Sequence, residues 1–407
     1  MEILRLDCDV QHYAWGDKEF IPSLLGIDNR DQRPYAELWM GAHPGLPSKA
    51  RLGGANVPLN ELISKAANEI LGTEVAQRFS GQLPFLLKVL SAAKPLSIQV
   101  HPSPEMARTG FAKENDAGIP LTARERNYKD ENHKPELIVA LTDFYALRGF
   151  RPMNEIATTL ESVPELGSNR QVQRDPRDLK SLYEHFMTLS QVDVDQILDA
   201  LLERLIRENE EKSFGPEDRE FWILKADREF SQGGKKDRGL FSIYLLNLIH
   251  LEPGEGLFLS AGILHAYLEG SGMEIMANSN NVLRGGLTPK HVDLPELLAN
   301  VTFEGSPAEI LRPVHSPQQG EWTYSTPAKE FELRRIEVSS SHPYRSNSNH
   351  DVEILILINS SKDTRADVET SGKTISLKQG QVCLIPHGAS YTIQTNQHIT
   401  LYKATVP

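Results

Sequence analysis

Short apolar runs recur in two parts of the chain, residues 1–150 and about 240–310. The runs are PFLLKVLS, LSIQVHP, ELIVAL, FSIYLLNLIHL, GLFLS and HAYLEG. Runs of this length, bounded by Gly, Pro or polar clusters, are typical of β-strands. The same pattern returns from about residue 320 to the end, in EFELRRIEV, DVEILILIN, KTISLKQGQVCLIP and SYTIQT. We therefore predict a mainly β protein built from sandwiches or barrels.

The stretch between the two β regions has a helical period instead. Apolar residues recur at helical spacing from Leu179 to Leu189 and again from Ile197 to Leu205. The polar, glycine-rich segment at 231–239 closes this block. We predict an α-helical insertion over residues 151–240, and a shorter helix at about 60–80.

Two segments, LEPGEGLFLSAGILHAY and LKQGQVCLIPHGASYTI, share one spacing of turn and ring residues. The shared positions are Gly254, Ser260, Gly262 and His265 in the first and Gly380, Pro386, Gly388 and Tyr391 in the second. Both segments resemble the second conserved motif of the cupins, G-x5-P-x-G-x2-H, which belongs to a double-stranded β jelly roll. The resemblance implies two cupin-type jelly rolls, of which only the first keeps its metal-binding histidine.

These patterns predict three units, and 407 residues suffice for two or three domains. The first is a discontinuous catalytic cupin jelly roll formed by residues 1–150 and 241–318. The helical insertion at 151–240 interrupts it. The third unit, residues 319–407, is predicted to be a degenerate cupin jelly roll with a structural role.

Composition and charge exclude several functions. The net charge of −12 argues against non-specific nucleic-acid binding, which depends on neutralising phosphates with Lys and Arg. It leaves room for a small anionic ligand in a local cationic pocket. Cys8 and Cys383 lie far apart without C-x-x-C spacing, so neither a disulfide framework nor a thiolate metal site is expected.

No membrane association or export is expected either. No apolar run approaches the roughly 20 residues of a membrane span. The start, MEILRLDCDVQHYAWG, has neither the basic nor the apolar region of a signal peptide. We therefore expect a cytoplasmic protein without membrane or nucleic-acid partners.

A candidate metal site begins in PLSIQVHPSPEMA, where Gln99 and His101 share one face of a strand because side chains alternate. Cupin sites combine such a pair with a carboxylate and the histidine of the second motif, here Glu136 and His265. Two imidazoles and two oxygen ligands suit Zn²⁺, and also Fe(II), Mn(II) or Co(II). Each residue alone has an ordinary reading, such as a polar strand residue or a hydrogen-bonded core histidine. Their convergence favours the metal site.

Two longer stretches resemble the signatures of type I mannose-6-phosphate isomerases. YKDENHKPE, at 128–136, matches Y-x-D-x-N-H-K-P-E, and HAYLEGSGMEIMANSNNVLRGGLTPK, at 265–290, resembles the second signature. QHYAWG, LPFLLKVLSAAKPLSIQVHP and ALRGFRP extend the resemblance over most of the chain. Two positions depart from the family pattern, since Asn280 stands where Asp is usual and Gly285 where Ala is usual.

The resemblance implies an enzyme with one Zn²⁺ per chain that interconverts mannose 6-phosphate and fructose 6-phosphate. The implied zinc ligands are Gln99, His101, Glu136 and His265. The implied catalytic arginine is Arg284, and further active-site positions are Lys134, Glu274, Trp15, Lys88, Ser97, Tyr267 and Lys290.

The implied chemistry moves a proton between C1 and C2 of the sugar through a cis-enediol, and therefore needs a base. Lys134 and Glu274 both remain candidates for that base. Arg284 stays protonated, so we expect it to stabilise the enediolate or bind phosphate. With Lys88, Lys134 and Lys290 it would form the cationic pocket, whereas Lys94 is expected to be a solvated surface cation.

Two other classes of protein remain as alternatives. An Fe(II) cupin dioxygenase fits the fold, but the basic residues and the TPK ending do not suit it. A non-catalytic sugar-binding bicupin explains a ligand-free second jelly roll, but leaves Lys134 and Arg284 unexplained. We expect an isomerase acting on a small sugar phosphate as a monomer.

Overall fold

A computed structural model of the chain describes residues 2–167, 178–316, 318–346, 350–359 and 364–407. Part of the predicted insertion, 168–177, lies outside the described residues. The strands before the helical part are β1 Leu4–Asp7, β2 Val10–Gln11, β3 Glu37–Gly41, β4 Lys49–Leu52, β5 Ala55–Pro58, β6 Phe85–Ala92, β7 Gln99–Val100, β8 Glu136–Ala140 and β9 Phe144–Phe150.

The strands after the helical part complete two jelly rolls. The first receives β10 Leu246–Leu251, β11 Gly256–Leu259, β12 His265–Ala277 and β13 Leu283–Arg284. The remaining strands are β14 Val314–His315, β15 Glu321–Tyr324, β16 Glu332–Val338, β17 Tyr344–Arg345, β18 Glu353–Asn359, β19 Ala366–Thr370, β20 Thr374–Leu377, β21 Val382–Ile385, β22 Tyr391–Gln394 and β23 Ile399–Thr405.

The helices lie mainly in the insertion and in the loops of the first jelly roll. They are α1 Phe20–Leu25, α2 Leu59–Lys65, α3 Ala67–Leu71, α4 Thr73–Arg78, α5 Pro104–Asp116, α6 Met153–Ser162, α7 Pro164–Gly167, α8 Leu179–Thr188, α9 Gln191–Lys212, α10 Arg219–Phe230, α11 Leu240–Leu245 and α12 Leu294–Asn300. None of them, in the described part of the chain, combines the length and the apolar composition needed to cross a bilayer.

The long strand β12 organises the first jelly roll. Its first half pairs with β9 and with β7, and its second half lies between β6 and β8. Side chains on the inner face, including Leu90, Ile138, Phe144 and Tyr267, form one buried cluster that fills the interior. Because neighbouring side chains on a strand alternate between faces, the other face of these strands is left for a second core.

That second core joins the two jelly rolls. Val139 and Ile275, from the outer face of the first, pack in one buried cluster with Ile354 and Leu384 of the second. The sheet on the second side runs β14-β15-β16-β23-β18-β21-β1-β4-β5, so it includes three strands from the beginning of the chain. The division into three units by residue number therefore stays a prediction. The chain is mainly β, with two cupin-type jelly rolls and a helical insertion.

The helical insertion packs on the strands that carry the candidate site. Val100 of β7 and Ile98 just before it, both fully buried, belong to one core cluster with Phe186 of α8, Leu198 of α9 and Trp222 of α10. Both helical stripes therefore face the predicted core. The arrangement also accounts for the alternation in PLSIQVHP, since the apolar face of β7 supports the helices and leaves the other face for Gln99.

The helix predicted at about 60–80 is three short helices instead. Helix α2 ends at Lys65, and Ala66 has a non-helical conformation. Gly72, with φ +90°, separates α3 from α4. Glycine adopts such a φ without the steric penalty that other residues incur, so the helical pattern is interrupted there.

The repeated motif forms the same structure twice. Gly254 and Gly262 have φ of +93° and +81°, and Gly380 and Gly388 have +74° and +71°. In each copy the glycines turn the chain on either side of a strand. His265 begins β12 and Tyr391 begins β22, so the two ring side chains occupy corresponding places.

Candidate active site

Three of the four predicted metal ligands meet in one buried cluster. His101 follows β7, Glu136 begins β8 and His265 begins β12. One ligand atom from each lies within 4.8 Å of the other two. The Nε2 atoms of His101 and His265 are each 3.4 Å from an oxygen of Glu136. All three residues are at most 4% exposed.

The donor atoms of this cluster fit a divalent metal ion. His101 Nε2 is buried and lacks a hydrogen-bond partner among the described residues, which is costly unless another group binds it. Burial lowers the pKa of His101 to about 4, so its ring is neutral at pH 7, as a metal ligand must be. Two imidazoles with a carboxylate are a donor set that suits zinc.

Gln99 lies beside the cluster. In the sheet it is paired with His265 on one side and with Arg284 on the other. Its Nε2 donates to Ser97 Oγ at 3.4 Å. The backbone thus places its side chain next to the cluster, and its role as the fourth ligand, like the role of Ser97, stays a prediction.

Asn281 orients His101, a contact that no pattern in the sequence indicates. Its backbone oxygen lies 2.8 Å from His101 Nδ1, so it accepts the ring's N–H and leaves Nε2 for a metal. The fully buried Asn281 side chain accepts from the backbone N–H of Lys129 and Asp130, and donates to the carbonyls of Asp130 and Asn132. It therefore joins both signature segments at the metal cluster.

Lys134 controls the charge of the cluster. Its Nζ lies 3.0 Å from Glu136 Oε1, and its side chain is 11% exposed. Burial opposes ionisation of Glu136, but the charge of Lys134 and the two neighbouring imidazoles outweigh it and hold the pKa of that carboxyl well below its usual range. Glu136 is therefore a carboxylate, ready to bind a cation.

Lys88 lies at the centre of a second buried group of charged and aromatic residues. The sequence indicated Lys88, Glu274 and Tyr267, but not Glu37 or Trp39. Its Nζ is 2.9 Å from Glu274 and 3.5 Å from Glu37, and it lies over the ring of Trp39. Tyr267 donates to the other oxygen of Glu274 at 3.0 Å. Burial disfavours the charged lysine, but the two carboxylates outweigh it and raise its pKa. Lys88 is thus a neutralised cation, not a free one.

Among the cations predicted for the site, Arg284 and Lys290 have no carboxylate partner in the described part of the chain. Neither side chain forms an ion pair or a hydrogen bond with the described residues. Burial lowers the pKa of the partly buried Arg284 guanidinium. Lys290 is exposed and close enough for the charge of Arg284 to act on it. Lys94 pairs at the surface with Glu229, at 2.8 Å, as a solvated cation should.

Trp15 borders the interior of the first jelly roll. It is partly buried, packs against the inner cluster that contains Leu90 and Tyr267, and stacks on Tyr13 with 5.7 Å between ring centroids. This position suits packing as well as a sugar pocket, so its predicted role in substrate binding stays a prediction.

The two departures from the family pattern have different surroundings. The backbone N–H of Asn280 donates to Asp130 at 2.8 Å, and its side chain lines a cavity of about 620 Å³ with His43 and Lys129. A methyl group at Gly285 would lie 3.1 Å from the hydroxyl of Tyr183, a tight contact. The buried tyrosine of α8 is therefore a physical reason for glycine at this position.

The second jelly roll holds a lysine where the first holds its metal cluster. Lys403 Nζ lies 2.7 Å from Glu321 and 3.1 Å from Glu353, and all three are at most 2% exposed. Tyr391, which corresponds to His265, donates to Glu353 at 2.6 Å. In the described part of this jelly roll no group of His, Cys, Asp and Glu has metal-binding spacing.

Known proteins resemble the chain over its whole length. Residues 3–153 match the family model of the phosphomannose isomerase type I catalytic domain. The mannose-6-phosphate isomerase of Escherichia coli (strain K12) is 44% identical over 340 residues, covering 80% of this chain and 82% of that protein. The mannose-6-phosphate isomerase of Bos taurus is 34% identical and covers 100% of this chain and 96% of its own.

Solved structures agree with these relatives. A crystal structure of mannose 6-phosphate isomerase from Salmonella typhimurium, bound to its substrate and to zinc, has a TM-score of 0.86 and 38% identity, with 100% of both chains covered. A zinc-bound structure of mannose 6-phosphate isomerase gives the same values. The chain therefore belongs to the type I mannose-6-phosphate isomerase family.

Proposed function

We infer that this chain is a zinc-dependent aldose–ketose isomerase that interconverts mannose 6-phosphate and fructose 6-phosphate. The observation that carries the inference is the buried His101–Glu136–His265 cluster, in a chain 44% identical to a mannose-6-phosphate isomerase. These residues, together with Gln99, would hold zinc, which would act as a Lewis acid on the sugar oxygens near C1 and C2. Neither a dioxygenase nor a non-catalytic bicupin is supported by these relatives.

The residues around the cluster then have separate tasks. Lys134 is our choice for the group that moves the proton between C1 and C2. Its Nζ is beside Glu136, whereas both oxygens of the competing Glu274 are already engaged by Lys88 and Tyr267. A base must be within hydrogen-bond reach of the proton and must itself be unprotonated. Lys134 therefore has to give up the proton that it directs at Glu136, and a cation bound at the cluster would favour this because like charges repel.

Arg284 is our choice for the group that stabilises negative charge as the enediolate forms. Its side chain is partly buried. A positive charge that is already in place can stabilise the developing negative charge without any rearrangement of the site during the reaction. Lys290, exposed six residues later, is placed to attract the phosphate. The Lys88 network, with Glu274 and Tyr267, holds the wall of the site in one arrangement.

The test combines metal analysis with a mannose-6-phosphate assay before and after chelation. We expect one zinc per chain, loss of activity on chelation and its return with zinc. Lys134→Met should lower kcat by about 10²–10⁴-fold, the usual worth of a general base, with zinc retained. Lys94→Met is the matched control and should be fully active. A metal-free enzyme with full activity contradicts the proposal, and oxygen uptake without isomerisation indicates the dioxygenase.

We also propose that the enzyme works as a monomer on a small sugar phosphate. The proposed metal, proton-transfer and phosphate-binding residues all come from a single chain, so no second copy is needed to complete the site. Light scattering at the assay concentration should give the mass of one chain. Specific activity that falls on dilution contradicts the monomer.

A further inference from the structure

We propose that Asp237, in the helical insertion, is a positioning residue that sets the place of Arg284. Asp237 lies between α10 and α11, and Arg284 ends β13. The inference rests on the charge-stabilising role proposed above for Arg284. The inference gives the helical insertion a role in the reaction. Asp237 lies outside both signature segments of the family.

The contact is a carboxylate that binds backbone N–H groups of another segment. Asp237 Oδ1 accepts from Leu287 at 2.8 Å and from Gly239 at 2.7 Å, and Oδ2 accepts from Thr288 at 3.1 Å. Hydrogen bonds to a charged acceptor are roughly twice as strong as neutral ones. A single side chain of the insertion thus holds the turn between Arg284 and Lys290.

The turn that Asp237 holds has a conformation that needs support. Leu287 is fully buried and has φ +52°, in the left-handed region that side chains with a Cβ rarely adopt. Such conformations persist only where the surroundings impose them. The bonds from Leu287 and Thr288 to one carboxylate supply that constraint.

Close backbone contact leaves little freedom on either side. A Cβ on Gly286 would lie 2.5 Å from the Cα of Gly239, so the two loops touch through their main chains. On its other side, the turn pairs with the residue before β7, because Gly285 N–H donates to the carbonyl of Ile98 at 2.8 Å and Ile98 N–H donates to the carbonyl of Gly286 at 3.0 Å. Arg284 is therefore fixed between the strand of Gln99 and the loop of Asp237.

The test is a double-mutant cycle between Asp237 and Arg284. Asp237→Ala should lower kcat/KM for mannose 6-phosphate by about 10–100-fold, because displacement by about 1 Å can cost 10²-fold. In an Arg284→Lys background the same change should cost less than about threefold, because Asp237 acts through the arginine that is already lost. Zinc content should stay at one per chain in every variant.

A matched control comes from the same region of the insertion. The exposed Asp218 accepts from the backbone N–H of Gly215 at 2.8 Å, and this bond involves neither the loop of Asp237 nor the turn after Arg284. Asp218→Ala should therefore leave kcat/KM within about threefold of the wild type, since surface changes of this kind act mainly on stability. If Asp237→Ala does not fold, Asp237→Asn replaces it, with an intermediate loss expected because one acceptor oxygen remains.

The outcomes separate the two proposals. If Arg284→Lys is as active as the wild type, the role proposed for Arg284 fails and the inference fails with it. If Arg284→Lys is impaired but Asp237→Ala or Asp237→Asn has wild-type activity, only the inference is overturned. Equal losses from Asp237→Ala in both backgrounds, or an equal loss from Asp218→Ala, also overturn it, because they indicate general destabilisation.

Discussion

Asn281 provides a sharp test of how the metal cluster is assembled. The perturbation is Asn281→Ala, which removes the side chain and keeps the backbone oxygen that accepts from His101 Nδ1. The side chain forms two bonds as acceptor, at 2.6 and 3.2 Å, and two as donor to backbone carbonyls, at 2.8 and 2.9 Å, besides a longer contact of 3.3 Å from Nδ2 to Asp130 Oδ1. Without these bonds, the segment that orients the imidazole is no longer tied to residues 129–132.

The magnitude follows from those four bonds. Each contributes about 0.5–1.5 kcal/mol net, and their partners at 129–132 are only partly buried, so we expect a loss of about 2–4 kcal/mol in the free energy of unfolding. Loss of an outer-shell partner typically weakens metal binding by about 10–100-fold. The zinc dissociation constant should rise by that factor.

The assay is zinc titration of the metal-free protein against a chelator of known affinity, with urea unfolding of the same sample. Asn29→Ala is the control, because Asn29 also joins backbone segments, accepting from Arg33 and donating to Lys18 and Arg33, but not at the metal cluster. It should leave zinc affinity unchanged. An Asn281→Ala protein that is less stable but binds zinc within twofold of the wild type refutes the reasoning.

Three further predictions concern the second jelly roll and the turn after β13. Lys403→Met should cost about 3–5 kcal/mol of stability, because the buried Glu353 loses its lysine and Glu321 keeps Arg334 but loses its buried ammonium. Isomerase activity of the folded protein should stay unchanged; urea unfolding and the isomerase assay check this. Burial opposes ionisation of Glu321, but Lys403 outweighs it and lowers the pKa from 4.5 to about 2. The ionised Glu321 carboxylate therefore stabilises the folded protein fully above its unfolded pKa, and this stabilisation is lost as the pH falls towards 2. The difference in unfolding free energy between wild type and Glu321→Gln should become smaller between about pH 5 and pH 3. A difference that stays constant contradicts this prediction. Gly285→Ala should cost about 1–3 kcal/mol because the buried Tyr183 hydroxyl is in the way, and adding Tyr183→Phe should recover at least half of it in thermal unfolding.

The features that follow from short-range patterns could be predicted from the sequence. The spacing of Gly262 and His265 implied a turn followed by a strand that opens on a ring, and the structure has that arrangement. The alternation of apolar and polar residues in PLSIQVHP predicted that Ile98 and Gln99 point to opposite faces. Ile98 packs on the helices, and Gln99 lies on the side of the cluster. The helical stripe from Ile197 to Leu205 is likewise a local signal, and α9 contains it.

The features that depend on partners distant in the sequence could not be predicted from it. Glu37 pairs with Lys88 and Asp237 binds the backbone of Leu287, and neither partnership leaves a pattern in its own neighbourhood. Asn281 lies in the run NSNN, where several residues could have had its role. The single helix expected at 60–80 was wrong. The apolar spacing is helical on both sides of Gly72, but Gly72 has φ +90° and interrupts the helix there.

The pairing of β1 with β21 has a consequence for how the protein is made. β1 can pair with β4 early, but Leu4 lies opposite Leu384, so the other edge of β1 stays open until β21 has been synthesised. Contacts this far apart in sequence slow folding and leave apolar strand edges open to wrong partners in the meantime. This edge is therefore expected to need protection by chaperones until β21 emerges, and in a chain stalled on the ribosome before residue 380 the β1 segment should be more sensitive to protease than in the folded protein.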